Sequence, residues 1–212
     1  MKFQIKPGFC FPTQFWTAEL NENIERLQNE AYLIRENDKD GVTKSNTGLN
    51  GYHSKDIRDL NNLPGTNHLL KQIINAVNAI HQISRQGDLL LTNFWLNISP
   101  KGSSNIPHTH SGLTYSGVFY IKVPKEMKGG RFLFYRNFNE ADFISTEYMG
   151  FFKKDYQLQS YDYAINTISP KENLLVVFPA WVPHGVEINL SDEDRISLSF
   201  NFKLNRNFVR AK

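Results

Sequence analysis

The stretch Arg195-Ile196-Ser197-Leu198-Ser199-Phe200-Asn201-Phe202 decides the fold. Alternate side chains of a β-strand point to opposite faces, so Ile196, Leu198, Phe200 and Phe202 share one face and Arg195, Ser197, Ser199 and Asn201 the other. Two readings fit this alternation. An isolated amphipathic strand would leave its polar face in water. A barrel with a hydrated, ligand-filled interior gives the same pattern, with the apolar face packed on helices or on a second sheet. The choice depends on whether other strands aim matching chemistry into the same space.

Outward from that strand, Leu89–Ile98, Leu113–Val123, Gly130–Tyr135, Leu174–Phe178, Val186–Leu190 and Arg195–Leu204 all read as strands. Before them the period is helical. Leu20, Ile24, Leu27, Ala31 and Ile34 predict a helix over Ala18–Ile34 after a short opening strand. A polar loop follows over Arg35–Asn50. Leu69, Leu70, Ile73, Ile74, Val77 and Ile80 predict a second helix, capped by Thr66 or Asn67 and running to about Ser84. Helices first and strands afterwards predict one mainly β domain over 1–212, with a helical support region at 1–87 and a β core at 88–204. Within the core, Asn137–Ser169 reads as an insertion carrying Phe138, Phe143, Tyr148, Phe151, Phe152, Tyr156, Tyr161 and Tyr163. Such an insertion either lids the barrel mouth and shapes a substrate pocket, or extends the sheet as a hairpin or a dimer contact.

Composition narrows the function classes. With 40% apolar and 21% charged residues among 212, the chain reads as a soluble globule, which excludes disorder and coiled coil. The net charge is +3 and the basic residues do not run together, so nucleic acid is not an expected partner. The single cysteine, Cys10, allows no intrachain disulfide and favours a reducing compartment. The opening residues lack the apolar run of a signal peptide, and no apolar run approaches the ~20 residues that span a bilayer. The expectation is a soluble, cytoplasmic protein with no membrane partner.

The candidate chemistry lies in His108-Thr109-His110 and Pro183-His184-Gly185. Residues two apart on a strand project together, so His108 and His110 can offer two imidazoles to one metal, and the turn Pro179–Pro183 can bring His184 in from a neighbouring strand. Three such ligands leave positions open for substrate, co-substrate and oxygen. The alternative is that His110 points away, because Pro107 just before the motif invites a bulge. His53, His68 and His81 lack such company, and His68 and His81, on the predicted helix, read as structural or surface residues. Arg195 suits a carboxylate held by two parallel hydrogen bonds, or else a rim ion pair with Asp192, Glu193 or Asp194.

From about Asn93 to Leu204 the sequence resembles the 2-oxoglutarate- and Fe(II)-dependent oxygenases, and within them the prolyl-hydroxylase-like branch and its small bacterial and phage members of unassigned substrate. The matching stretches are Trp95–Asn97, His108–His110, Ser116–Ile121, Gly129–Phe132, Asn173–Pro179, Pro183–Val186 and Arg195–Asn201, with Ser45-Asn46 and Gly51–Ser54 upstream. The resemblance implies a double-stranded β-helix (jelly roll) with the helices on its outer face. It implies that His108, His110 and His184 hold Fe(II) and that Arg195, helped by Ser197, binds the distal carboxylate of the co-substrate 2-oxoglutarate. Tyr120 would donate to the same carboxylate unless it is simply a core aromatic, and Asn97 would lie near the end that chelates the metal. O2 is the other co-substrate, and the expected activity is hydroxylation of an unidentified substrate. One departure stands out. The usual motif is His-x-Asp, and between Asn105 and Met127 the only acidic residue is Glu126, so His110 takes the carboxylate's place. That leaves two alternatives: a cupin-like or three-histidine metal enzyme that does not use 2-oxoglutarate, and a non-catalytic jelly-roll binding or structural module.

Overall fold

The computed structural model describes residues 13–42, 48–83, 85, 87–136 and 165–205. A short strand β1 (Trp16–Glu19) precedes helix α1 (Ile24–Asn37), the two-residue strands β2 (Gly48–Leu49) and β3 (Tyr52–His53), and helix α2 (Pro64–Gln82). Then come β4 (Leu89–Ser99), β5 (Ser104–His108), β6 (Tyr115–Lys122), β7 (Phe132–Tyr135), β8 (Ile165–Ile168), β9 (Leu174–Pro179), β10 (His184–Val186) and β11 (Arg195–Leu204). They form a six-stranded sheet, β1-β9-β6-β11-β4-β3, and a five-stranded sheet, β2-β5-β10-β7-β8. All pairings are antiparallel. The fold is a jelly roll, mainly β, with helices at its N-terminal side.

The alternation of β11 sets the layers. Ile196, Leu198, Phe200 and Phe202 are each at most 1% exposed and pack with Phe119, Ile121, Leu175 and Val177 against Leu27, Ala31, Leu69, Ile73 and Val77 of the helices. Burying each of those β11 side chains is worth about 1.5–3 kcal/mol. The opposite face of the six-stranded sheet contributes Val118, Tyr120, Val176 and Phe178 to a second core with Phe132 and Phe134 of the smaller sheet. The polar face of β11 therefore lies between the sheets, not in water: Arg195, Ser197 and Asn201 are all buried.

Several element bounds differ from the sequence expectations, each for a physical reason. The first helix begins at Ile24, not Ala18, because residues 16–19 are drawn into a strand against β9 and Asn23 caps the helix by accepting the Arg26 N–H at 3.0 Å. The second begins at Pro64, whose missing N–H costs nothing in a first turn. Thr66 is thus inside the helix, and the cap comes from elsewhere in the chain. The buried carboxylate of Glu30 in α1 accepts the Gly65 N–H (2.7 Å), the Thr66 N–H (2.7 Å) and the Thr66 hydroxyl (2.8 Å). An anion at a helix N-terminus satisfies orphan donors and meets the positive end of the helix dipole. Glu30→Gln puts an NH2 where a donor-accepting oxygen stood, and should cost about 2–3 kcal/mol. A melting temperature lowered by about 6 °C in a thermal unfolding scan is the expected outcome; an unchanged one would show that the cap carries no energy.

Downstream, Ser104–His108 forms a strand the sequence pattern did not reveal, and the expected strand at Val186–Leu190 is shifted back to His184–Val186. The β5–β10 register slips by one residue between the His184–His108 and Val186–Asn105 pairs, a bulge on the side of Pro107. Of the insertion expected at 137–169, residues 137–164, with all the aromatic residues named for it, lie outside the described residues; 165–168 is strand β8, at the edge of the smaller sheet.

Candidate metal centre

The bulge at Pro107 precedes His108 and does not come between the two histidines of the motif. His108 ends β5 opposite His184 of β10. His110 lies just past the strand, where its backbone N–H donates to the Ala180 carbonyl at 2.9 Å and ties it to the turn before His184. Ring centroids are 4.4 Å apart for His108 and His184 and 5.1 Å apart for both other pairs. One ring nitrogen from each of the three lies within 4.8 Å of the others, a span that one divalent ion can bridge.

Backbone contacts settle which nitrogen faces inward. Nδ1 of His108 lies 2.8 Å from the Ile106 carbonyl, and Nδ1 of His184 lies 2.8 Å from the Val182 carbonyl. A carbonyl only accepts, so Nδ1 carries the proton in each ring and Nε2 keeps its lone pair for a metal. Burial holds the His184 and His110 rings neutral. His184, between the rings of Phe132 and Phe178, is pushed down to about 3 by burial and by the neighbouring histidines. His110 is pushed down to about 4 by burial and by His108. Gly185 lets the two strands close: a Cβ there would stand 2.8 Å from the Asn105 carbonyl oxygen. Gly185→Ala should therefore push β10 off β5, part His184 from His108, and weaken metal affinity about tenfold with the fold retained. Titration of a divalent metal alongside a circular dichroism spectrum checks this.

The three rings open onto a cavity of about 340 Å³ between the sheets. Arg195, Ser197, Tyr120 and Asn97 all line it, so every residue singled out from sequence is brought to one place. None of the acidic residues after β10 takes Arg195: Asp192 pairs with Lys101, Glu193 lies near Lys122, and Asp194 accepts from Tyr32. Arg195 is 3% exposed, donates through Nη2 to Ser99 Oγ at 3.2 Å, and has its Cζ 5.7 Å from the centre of the Tyr120 ring. Among the described residues, Arg195 Nε and Tyr120 Oη are the buried side-chain polar atoms with no hydrogen-bond partner. Burial raises Tyr120 to about 12, so it stays a neutral donor, and burial lowers Arg195 from its ordinary value. Two unsatisfied buried donors side by side are costly unless an anion joins them. Asn97 is less free, since its Nδ2 donates to Ser199 Oγ at 3.0 Å.

Sequence reasoning missed the far end of the cavity. His53 lies stacked on Trp95 at 5.3 Å, and Trp95 approaches His110 at 6.2 Å, so His53 does have company. Beyond them runs a polar chain. Ser116 donates to Asn201, Asn201 to Asn93, and Asn93 to Asp56. The alternation Asn93, Trp95, Asn97, Ser99 along β4 held the signal, in register with the polar face of β11. His68 and His81 behave as expected. His68 is exposed beside Glu22, and His81 is buried near Tyr115.

The family model described as "Putative 2OG-Fe(II) oxygenase" matches residues 93–201, more than half of the chain. No curated protein matches it by sequence. Among solved structures, the chain is similar to a Pseudomonas putida prolyl-4-hydroxylase (15% identity, 91% of this chain and 94% of that one, TM-score 0.59). It is also similar to a Trichoplax adhaerens prolyl hydroxylase in complex with a hypoxia-inducible-factor oxygen degradation domain peptide (12%, 93% and 87%, TM-score 0.63). A third is HygX from Streptomyces hygroscopicus with nickel and 2-oxoglutarate bound (11%, 91% and 84%, TM-score 0.56). At these identities the likeness is one of fold.

Proposed function

Because this chain belongs to the 2OG-Fe(II) oxygenases, we propose that His108, His110 and His184 hold its Fe(II) and that Arg195 and Tyr120 hold its 2-oxoglutarate for the hydroxylation of a substrate still to be identified. The supporting observation is the pair of unpartnered buried donors, Arg195 Nε and Tyr120 Oη, in the same cavity as the three imidazoles. When bound, the iron supplies the oxygen activation, at the expense of 2-oxoglutarate and O2, that no side chain can perform.

The chain's own residues bind, orient and exclude water. The distal carboxylate accepts from the Arg195 guanidinium and the Tyr120 hydroxyl, which satisfies both orphan donors at once. Ser197 stands between Asn97 and Tyr120 in the strand register and adds a hydroxyl to the same wall. Asn97, turned to Ser199, lines the path toward the histidines. Phe132 and Phe178 keep water from one side of His184. Neither a metal enzyme without 2-oxoglutarate nor a binding module gives Arg195 and Tyr120 a partner.

The test is succinate release from purified protein supplied with Fe(II), 2-oxoglutarate and O2, together with direct titration of 2-oxoglutarate. Release that needs all three, above a no-protein blank, is the expected result. No binding of 2-oxoglutarate and no succinate would overturn the reading.

A further inference from the structure

We propose that the end of the cavity away from Arg195 receives the substrate to be hydroxylated by a protonated amino group, with the Asp56 carboxylate as its counter-charge. The proposal rests on the assignment of the three histidines to the metal and of Arg195 to 2-oxoglutarate. Opposite charges at opposite ends carry it. The described residues that line the cavity include one arginine, Arg195, and one carboxylate, Asp56. Their order follows the β4–β11 ladder, whose inward rungs are Ser99 with Arg195, Asn97 with Ser197, Trp95 with Ser199, and Asn93 with Asn201. Trp95, on the third rung, approaches the His110 ring at 6.2 Å. The fourth rung, whose Asn93 donates to Asp56, lies past it, about 20 Å from Arg195 at the rise of a strand. An anionic co-substrate and a cationic substrate are thus drawn to different ends.

Asp56 also sets the direction of the hydrogen bonds at its end. A carboxylate only accepts, so Asn93 turns its amide nitrogen to Asp56 at 3.2 Å and its oxygen to Asn201. Asn201 donates to that oxygen at 3.1 Å and accepts from the Ser116 hydroxyl at 2.7 Å. Ser116 has one proton and gives it to Asn201, so toward anything else in the cavity its buried oxygen is an acceptor. His53, stacked on Trp95, has Nδ1 2.7 Å from the Ser54 carbonyl, which leaves the lone pair on Nε2. An ammonium brings three donors and the opposite charge to these acceptors. The remaining N–H groups of Asn93 and Asn201 suit an oxygen elsewhere on the same molecule. Asp56 is exposed, yet its backbone is fixed. The Ser54 N–H donates to the Leu96 carbonyl at 2.9 Å, and the Ile57 N–H donates to the Phe94 carbonyl at 3.1 Å. The carboxylate is therefore held at the cavity edge before any substrate arrives.

Titrations of protein loaded with Co(II) and 2-oxoglutarate test this with two matched pairs of probes. Pentylamine and pentanol represent a free small molecule; a capped lysyl tripeptide and its norleucyl counterpart represent a side chain. In at least one pair the amine should bind about tenfold or more tightly than its neutral partner, and the pair that shows the gap identifies the source. The gap should narrow as salt is raised, because Asp56 is exposed. Asp56→Asn should reduce it to within about threefold, and Asp56→Glu should keep most of it. Neutral probes that bind as tightly as the amines would overturn the proposal and leave the proposed function standing. So would a preference that survives in Asp56→Asn, or no amine binding to protein that takes up 2-oxoglutarate. Protein that takes up neither Co(II) nor 2-oxoglutarate would overturn both.

Discussion

His184→Ala should keep its fold and lose its metal. The imidazole is held by the Val182 carbonyl and packed between Phe132 and Phe178, so its removal leaves a small cavity in an otherwise intact sheet. What remains is His108 and His110, and metal affinity should fall by at least about 100-fold, with succinate release falling alongside. His110→Ala should behave the same way, whereas His110→Asp should retain iron by restoring a carboxylate at that position. Iron content measured by elemental analysis after anaerobic reconstitution separates the cases. Equal iron in His110→Ala and the parent protein would reject the three-histidine site and leave a metal held by two residues.

Arg195→Met should move stability and binding in opposite directions. Among the described residues the buried guanidinium has no acidic partner, its Nε has no acceptor, and Ser99 Oγ accepts from its Nη2. A buried charge so poorly compensated costs the unliganded protein stability. Replacing it with an apolar chain of similar length should raise the melting temperature of the unliganded protein by a few degrees, about 1 kcal/mol or more. The same change should weaken 2-oxoglutarate binding by at least about 100-fold, since it removes the charged end of the proposed carboxylate clamp. A differential scanning measurement and a 2-oxoglutarate titration on one sample check both halves. If the variant melts lower and still binds 2-oxoglutarate, Arg195 is a structural residue.

The legible parts of this protein were those in which one local period dominates. Strand 195–204 runs where its alternation put it, because its apolar residues face a helical layer and its polar ones a cavity, and the two faces demand opposite chemistry. The gathering of His108, His184 and Arg195 at one cavity was legible for a related reason: polar side chains on the inward faces of neighbouring strands meet between the sheets. Other features depend on partners distant in sequence. Trp16–Glu19 is a strand only because Leu174–Val177 lies beside it, so a helical reading of Ala18 was the natural local one. The cap of the second helix comes from Glu30, more than thirty residues upstream. Ser104–His108 has no alternation to announce it and is a strand through its pairing with β10. His53 looked solitary because Trp95, its stacking partner, is forty-two residues away.

The position of β11 has a consequence for how the chain reaches its native state. Among the described residues the last strand in sequence is an interior strand of the six-stranded sheet, paired on one side with β4 and on the other with β6. Until residues 195–204 are available, β4 with β3 and β6 with β9 and β1 are separate fragments, each exposing an open backbone edge and an unburied apolar face. Synthesis from the N-terminus supplies the joining strand after both of its partners, so the sheet closes only once residues 195–204 have been made, through contacts of long sequence separation. Folding should accordingly be slow and all-or-none, and a chain stopped at residue 194 should yield an aggregating product rather than a shortened but stable domain.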